Sequence, residues 1–377
     1  MSDGATLATN DGRMGGNLWG VSQNHQSADR ILFGTKISEI WRMVQLGDDY
    51  VPDTDMNRGV TLGLVYDFLV QDEIVTPDDD LQGFAAQLGW KVDQAKWLGM
   101  DVRGLQLTAT FRTLWDERFN TSVQAFPIRA AVEVGDVGFE GDLLLLQGTS
   151  QELAAGFAEF SSEEVTDQEL SGMGARVRAS WNPGNFHLLA EYAYASGDAD
   201  PRSTTPLTSL SWARDSNLGL LLFEHTLAFQ SARAASVGIE NLRQLEAASF
   251  PLTEIATEGR VTNVHAIFPQ IFWDILPGLR LKTGVLFAWT DEPAVDPIAT
   301  AIAFDGNEIE DDAVNFHGGK PGDTWGTEFD LGVEWLFKEH FQFAVEGAYL
   351  LPGDALKDEN GDAVPSWMVE TRFTFAL

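Results

Sequence analysis

Hydrophobic and polar side chains alternate one by one along most of this chain. The clearest case is residues 367–377, where apolar side chains occupy most odd positions and polar or small ones most even positions. Because successive side chains of a β-strand point to opposite faces, this period of two predicts strands with one apolar and one polar face. Helical periodicity is confined to residues 217–248, within a long connection. The predicted strands are 30–45, 58–71, 82–93, 103–115, 122–134, 138–148, 172–181, 185–196, 261–275, 279–290, 325–337, 340–351 and 366–377.

Two kinds of fold have strands of this type. In a soluble sandwich the apolar faces pack against each other, whereas in a transmembrane barrel they meet lipid and the polar faces line the lumen. The predicted strands are about 10 to 14 residues long, near the ~9–11 residues that cross a bilayer at a tilt. Aromatic residues gather at the strand ends, as in the girdles of an outer-membrane barrel. They flank short turns at Trp181, Phe186, Trp335, Phe337 and Phe341, and long loops at Trp115, Tyr192, Tyr349 and Trp367.

The connections between the predicted strands alternate between long and short. Counted back from the C-terminus, residues 354–365, 291–323, 197–260 and 149–170 are long, while 338–340, 276–278, 182–184 and 135–137 are short. Outer-membrane barrels have short periplasmic turns and long outer loops, and a sandwich has no reason to sort its loops in this way. A soluble all-β domain remains the alternative.

The strand pattern therefore predicts an all-β fold, an antiparallel transmembrane β-barrel with short periplasmic turns and long extracellular loops. Residues 30–377 form this barrel, and residues 1–29 are an N-terminal segment, expected as a partial strand or a plug. Bacterial single-chain barrels normally have an even number of strands. At least one further strand is therefore expected from residues 1–29, from 197–260, or from sequence beyond this chain.

Composition excludes several classes of protein. Asp and Glu number 57 against 24 Lys and Arg, a net charge of −33, whereas nucleic-acid binding needs a basic surface. The hydrophobic fraction of 44% is too high for a disordered acidic chain. Cysteine is absent, which excludes disulfides and thiolate chemistry.

The first 20 residues lack the basic and apolar segments of a signal peptide. With the strand pattern, we expect a mature or N-terminally shortened protein of the bacterial outer membrane.

Several short motifs carry a family resemblance. They are NDGRMGGNLWG with DRILFGTK near the N-terminus, AEYAYASGDADP at 190–201, DSNLGLLLFEHTLAFQSA at 215–232 and AYLLPGDALKD at 348–358. With these motifs the chain resembles the alginate-export-like outer-membrane channel family, in particular its proteobacterial branch, and its opening looks like a point partway into such a protein. The resemblance implies an export or diffusion pore of about 18 strands, so the expected total is about 14 to 18 strands.

Alternation places charged side chains of both signs on the lumen side, eight basic and ten acidic. A path for a polyanion such as alginate should be mostly basic, so this near balance argues against that cargo. Mixed charges suit a hydrated lumen that selects by size and weakly by charge, or else they hold a narrow or plugged barrel rigid. The candidate lumen-lining and selectivity residues are Arg112, Arg129, Arg176, Arg178, Glu191, Arg280, Lys282, Glu328, Asp330, Glu334, Glu346, Glu370 and Arg372.

Metal and enzyme motifs contribute little. Acidic residues cluster in the connections and could bind Ca²⁺ or Mg²⁺, with Asp358, Asn360 and Asp362 as the candidate calcium ligands; no other cofactor is expected. The six histidines lack metal-ligand spacing, and no GxSxG or phosphate-loop motif is present. We therefore expect no enzyme, with a lumenal hydrolase triad as a minor alternative.

The sequence thus predicts a porin-like channel for passive diffusion or export of small hydrophilic or charged solutes. The alternative is a structural or adhesive outer-membrane barrel with a closed pore and ligand-binding acidic outer loops. Expected partners are outer-membrane lipid and lipopolysaccharide, the small-solute cargo and, because the last strand ends with Phe375 two residues before Leu377, the barrel-assembly machinery during insertion. Reversing Arg176 and Arg178 to Glu is expected to shift ion preference toward cations.

Overall fold

A computed structural model gives the architecture. It describes residues 18–19, 27–47, 49–55, 58–71, 82–97, 100–152, 154–155, 158, 164–200, 204–213, 216–232, 257, 259–295, 320–337, 341–358 and 360–375. Within these residues, thirteen strands form one sheet in chain order, and every neighbouring pair is antiparallel. The strands are β1 Ser27–Lys36, β2 Gly59–Gln71, β3 Gln82–Trp97, β4 Met100–Asp116, β5 Thr121–Val134, β6 Val137–Ser150, β7 Gln168–Trp181, β8 Phe186–Ala195, β9 Val264–Leu276, β10 Leu279–Trp289, β11 Thr324–Phe337, β12 Phe341–Pro352 and β13 Ser366–Phe375.

The predicted all-β antiparallel fold is therefore confirmed. Thirteen described strands coincide in order with the thirteen predicted ones, and β1 and β13 are the two ends of the described sheet. Twelve of the predictions differ from the observed bounds by a few residues only. The total of 14 to 18 strands and the closure of the barrel stay predictions.

One predicted strand was wrong over much of its length. The strand predicted at 30–45 ends at Lys36, and the helix α1 follows at Ile37–Leu46. Alternation at residues 31, 33, 35 and 37 runs smoothly into the helix, which hides the change of period. The expectation that helical periodicity is confined to 217–248 was wrong for the same reason. In that range a π-helical turn at Leu222–Leu227 continues as helix to residue 232, and 233–248 lie outside the described residues.

The helices are short. Across the described ranges, none is both long and apolar enough to cross a bilayer.

Loop lengths follow the predicted alternation from β5 onward. Residues 135–136, 182–185, 277–278 and 338–340 join strands at one end, and 151–167, 196–263, 290–323 and 353–365 join them at the other. The prediction was wrong at two places: residues 117–120 make a short connection at the long-loop end, and residues 37–58, which include a helix, make a long connection at the short-turn end. The short-turn end is the periplasmic end in barrels of this type.

The two faces of the sheet differ as the alternation predicts. On β11, Phe329, Leu331 and Val333 are exposed on the outer face, while Glu328 and Asp330 are buried on the inner face. In the described residues no second layer covers the outer rows, so the sandwich interpretation does not hold. On β9 both faces are apolar, because Phe268 and Phe272 are buried inside while Ile267 and Ile271 are exposed outside.

On β8 to β12 the inner face is therefore less exposed to water than predicted. Buried inward residues of β8 to β12 join a hydrophobic cluster with residues from the long β8–β9 connection. That connection was predicted to be an outer loop, and this was wrong for its middle part. Apolar residues in it, among them Leu220 and Phe223, are excluded from water by folding against the inner wall.

Candidate functional site

Two segments fill part of the space beside the inner face. One is the pair Leu18–Trp19, and the other is residues 216–232, here called the inner insert. The inner insert touches Arg176 on β7 and Glu328 on β11. The sheet therefore curves around it from β7 to β11.

Glu328 fixes the start of the inner insert. Its Oε1 accepts hydrogen bonds from the N–H groups of Leu220 and Leu221 at 2.6 and 2.8 Å, and its Oε2 accepts one from Leu222 at 2.6 Å. The first N–H groups of a helical segment have no partner within the segment, so a carboxylate satisfies them well. Gly219 precedes them with φ +72°, and a Cβ there would lie 2.7 Å from Glu328 Oε1. The close approach therefore needs glycine.

Arg176 and Arg178 converge on one buried carboxylate. Arg176 Nε donates to Glu191 Oε1, and Arg178 Nε lies 3.3 Å from Glu191 Oε2. Gln270 Nε2 approaches the same Oε2 at 3.4 Å. Arg176 also reaches the inner insert, with Nη2 3.4 Å from the Asn217 carbonyl oxygen. A buried charge is tolerated when it is paired and hydrogen-bonded, as Glu191 is here.

Lys282 forms a second buried group. Its Nζ pairs with Glu346, lies 2.8 Å from Glu334 Oε1 and donates to the Leu18 carbonyl oxygen at 2.7 Å. It also lies 4.4 Å from the ring centroid of Trp19, in a cation–π contact. Lys282 therefore ties the N-terminal segment to the inner wall.

Glu346 connects the Lys282 group to the last strand. Arg372 lies 3.3 Å from Glu346 and 4.0 Å from Glu370. Asp330 is buried next to Glu328, and neither of its carboxylate oxygens has a hydrogen-bond donor among the described residues. Lys282 on β10 and Arg372 on β13 both pair with the buried Glu346, and this pairing offsets the cost of burying its charge.

Trp19 and the inner insert are also bonded to each other. Trp19 donates its indole N–H to Gln270 Oε1 at 3.0 Å, and its carbonyl oxygen accepts from Asn217 Nδ2 at 3.3 Å. Asn217 Nδ2 also donates to Glu224 at 2.7 Å. The two inner segments thus form one hydrogen-bonded unit with the wall.

Two further glycines make room for the loop that leads to the inner insert. A Cβ on Gly174 would lie 2.9 Å from Leu210 Cδ2, and one on Gly172 would lie 3.0 Å from Leu210 Cβ. Trp212 caps this contact, since its indole donates to the Tyr194 carbonyl oxygen at 3.1 Å. The small residues of β7 therefore act as a seat for the loop.

The inward basic side chains of β4 and β5, Arg112 and Arg129, are more open to water. Arg129 pairs with Glu140 and lies 3.6 Å from Asp142, and its side chain is 34% exposed. Arg112 lies 3.9 Å from Asp67 and is 38% exposed. By contrast, the side chains of Lys282, Glu191 and Glu346 are each 1% exposed. The inner wall therefore has an open polar side and a filled side.

Arg280 lies apart from both groups. It is bidentate to Asp274, at 2.6 and 3.0 Å, and Asp274 is 2.8 Å from His187 Nε2. This cluster is at the short-turn end, beside a cleft of about 550 Å³ lined in part by Leu276 and Gly278. The structure thus places the candidate residues in separate clusters and does not gather them at one constriction.

The candidate calcium ligands form a local turn. Asp358 Oδ1 accepts from the N–H groups of Asn360 and Asp362, both at 2.9 Å. No cluster of three or more His, Asp or Glu suited to a metal ion occurs in the part of the chain that is described. Calcium or magnesium binding stays a prediction, and the acidic runs at 78–80 and 305–312 lie outside the described residues.

Several residues of this arrangement were missed from the sequence. Trp19 and Asn217 carry no periodic signal, and the bonds from Trp19 to Gln270 and from Asn217 to Trp19 each join residues more than 190 positions apart. Gln270 did have a signal, because it is a lone polar residue between the inward Phe268 and Phe272.

Comparison with known proteins decides the family. The model of the family described as "Alginate export" matches residues 78–370. The chain belongs to the alginate-export family. It is a channel-type protein of the bacterial outer membrane, as predicted. A comparison with curated proteins found no match.

Three solved structures match the chain at low sequence identity. The NanC porin is 11% identical with a TM-score of 0.31, and the match covers 78% of this chain and 94% of that one. OprD from Pseudomonas aeruginosa is 9% identical with a TM-score of 0.41, covering 84% of this chain and 65% of OprD. OccK8 (OprE) from the same organism is 12% identical with a TM-score of 0.39, covering 86% and 69%. This chain thus spans about two thirds of OprD.

Proposed function

We propose that the chain forms a narrow aqueous passage for small hydrophilic or charged solutes, which cross by passive diffusion. The passage follows the inner face of β2 to β6, and the inner insert occupies the side of β7 to β12. The observation that carries this proposal is the difference in exposure between Arg129 and Arg112 on one side and Glu191 and Lys282 on the other.

The charges along this passage favour small solutes of either sign. Both Arg112 and Arg129 have an acid beside them, since Arg112 lies near Asp67 and Arg129 lies near Glu140 and Asp142. A conduit for a polyanion should be mostly basic. A polyanion in this passage would instead meet both attraction and repulsion, because acidic and basic side chains lie next to each other. The proposed solute is therefore a small molecule. A long uronate polymer does not fit these mixed charges.

A second function is supported by a different observation. The hydrophobic cluster on the inner face buries Phe268, Leu286 and Leu350 together with Leu220 and Phe223 of the connection. A filled interior of this kind also suits a structural or adhesive barrel whose pore stays closed. The two functions differ in whether ions cross.

Planar-bilayer recording separates the two functions. Folded protein is added to a bilayer in potassium chloride, with heat-unfolded protein as the control. If the chain forms the passage, we expect stepwise currents that persist in the presence of an oligouronate. We also expect small sugars to enter liposomes that contain the protein. Silent protein whose insertion is verified by protease protection would support the closed barrel, and current blocked by low oligouronate concentrations would point to a polyanion path.

A further inference from the structure

Helix α1 presents its apolar side away from the protein. Ile37, Ile40, Trp41 and Val44 follow the spacing of one helix face. These four residues are 37%, 49%, 63% and 76% exposed, respectively. On a surface helix of a water-soluble domain, such a face packs against the core. In this structure it packs against no described element.

The polar side of α1 is the side that is attached to the protein. Glu39 is buried, and its carboxylate accepts from the Tyr50 hydroxyl at 2.5 Å and from the Asp53 N–H at 2.9 Å. Arg42 pairs with the same carboxylate at 3.1 Å. The orientation of α1 is thus the reverse of that on a soluble domain.

The attachment lies on the inner side of the sheet edge. Lys36, the last residue of β1, shares the inward face with Arg30, whose partner Asp67 is buried. Lys36 Nζ donates to Asp53 at 2.9 Å and to the Asp55 carbonyl oxygen at 2.9 Å. Because the polar side of α1 is anchored through Asp53, its apolar side is directed away from the inner face.

The height of α1 is set by strand direction. Since neighbouring strands are antiparallel, the β1–β2 connection is at the same end as the short turns. At that end Trp335, Phe337 and Phe341 are exposed on the outer face, as in an interfacial girdle. The outward row of β1, with Ile31 and Phe33 exposed, leads directly into α1.

We infer that α1 is an in-plane anchor that binds the phospholipid of the periplasmic leaflet. Its apolar side, Ile37, Ile40, Trp41 and Val44, enters the boundary between headgroups and acyl chains. Amphipathic helices bind there at a depth of about 5–10 Å, with the polar side toward water or protein. The lipid surface is favoured over a protein partner because the apolar side continues the outward row of β1. A second copy of this chain is the competing occupant.

Site-directed spin labelling tests this inference on the full chain. The protein has no cysteine, so one introduced cysteine gives one label. Val44→Cys places a label on the apolar side, and Gln45→Cys places one at an adjacent exposed position on the polar side. Phe343→Cys serves as the outward-facing reference, and Ile40→Cys is a second position on the apolar side, in case Val44→Cys folds poorly.

The labelled proteins are inserted into vesicles of phosphatidylethanolamine and phosphatidylglycerol. At residues 44 and 40, oxygen is expected to relax the label more than a water-soluble nickel complex does, as at residue 343, with the opposite order at residue 45. Greater relaxation by nickel at 44 and 40 would overturn the inference. So would shielding from both reagents together with dipolar coupling between labels, which would indicate a second copy. Conduction is not part of this readout, so failure of the proposed passage and failure of the anchor are distinguishable.

Discussion

Glu328 Oε1 accepts a hydrogen bond from the N–H of Leu221 at 2.8 Å, although the two residues are 107 positions apart in the chain. The same carboxylate binds the N–H groups of Leu220 and Leu222. One side chain of the wall therefore holds the first turn of the inner insert. The strength of these three hydrogen bonds decides how firmly the inner insert is held against the inner face of the sheet.

Replacing Glu328 with Gln is expected to loosen the inner insert. The amide NH₂ replaces an acceptor with a donor, so at least one N–H loses its partner. A hydrogen bond to a charged group contributes about 1.5–3 kcal/mol, and we expect a loss of that size in the free energy of unfolding, measured with urea in detergent. We also expect larger and noisier single-channel currents. Glu133→Gln is the matched control, since Glu133 is 62% exposed, and it should change stability by less than about 0.5 kcal/mol. Equal effects of the two variants would contradict the role given to Glu328.

Gly174→Val should displace the loop seated on β7. Its Cβ would lie 2.9 Å from Leu210 Cδ2 and 3.4 Å from Trp212 Nε1, so the loop must move. Overpacking of this kind costs about 1–3 kcal/mol. We expect faster protease cleavage within residues 204–232 in the inserted protein.

The control for Gly174 is Gly141→Val on β6. Gly141 is on the outward row, between Ala130 and Val177, and a Cβ there meets nothing within 4 Å. Cleavage that is unchanged in Gly174→Val, or equally fast in Gly141→Val, would mean that the glycine seat does not hold the loop.

Arg129→Gln should make the passage more cation-selective. The substitution removes the positive charge that pairs with Glu140 and lies 3.6 Å from Asp142 on the open side of the inner face. In a salt gradient, the reversal potential is expected to move toward the cation equilibrium potential. Lys96→Gln removes the same charge near the end of β3, where the side chain is 80% exposed, and should move the reversal potential much less. Identical shifts would place Arg129 outside the ion path.

Low pH is expected to release the loop that anchors α1. The ammonium group of Lys36 and the backbone N–H of Asp55 bind the Asp53 carboxylate and lower its pKa from 3.8 to about 2. Arg58 acts in the same direction. A lowered pKa in the folded state gives stability that is complete above the ordinary value of 3.8 and is lost as the pH falls through about 2.

The carboxyl ¹³C shift of Asp53, followed by NMR in micelles, measures this directly. A midpoint near 2 is expected in the native chain, and Lys36→Met should raise it toward 3.8. If the midpoint is 3.8 in the native chain and stays there in Lys36→Met, the ion pair between Lys36 and Asp53 does not form.

Local alternation was enough to find the strands, because the direction of each side chain depends only on its position in the strand. It failed at Ile37, since the apolar residue there fits both the strand period and the first turn of α1.

Alternation also placed Arg176 and Arg178 inward. Both are bound to the buried Glu191 and are only 11–12% exposed, so their proposed control of selectivity stays a prediction, and Arg129 is the better test.

The filled side of the lumen could not be predicted from local pattern. Trp19 and Gln270 are 251 positions apart, and no period in the sequence relates them. The inner insert has an apolar run at residues 218–223 that suits burial, but the sequence does not say against which surface. Gly172 and Gly174 fit the inward row by alternation alone, and their role as a seat emerges only with Leu210 in place.

Cysteine labelling of Ala130 and Ala131 tests the central claim most directly. These neighbours on β5 point to opposite faces: Ala130 pairs with Leu107 and Gly141 on the outer face, and Ala131 pairs with Gln106 and Glu140 on the inner face. Each is changed to Cys in the otherwise cysteine-free chain, inserted into liposomes and treated with a charged maleimide. The account predicts rapid labelling of Ala131→Cys and protection of Ala130→Cys by lipid. Labelling in the reverse order, or equally at both positions, would contradict it.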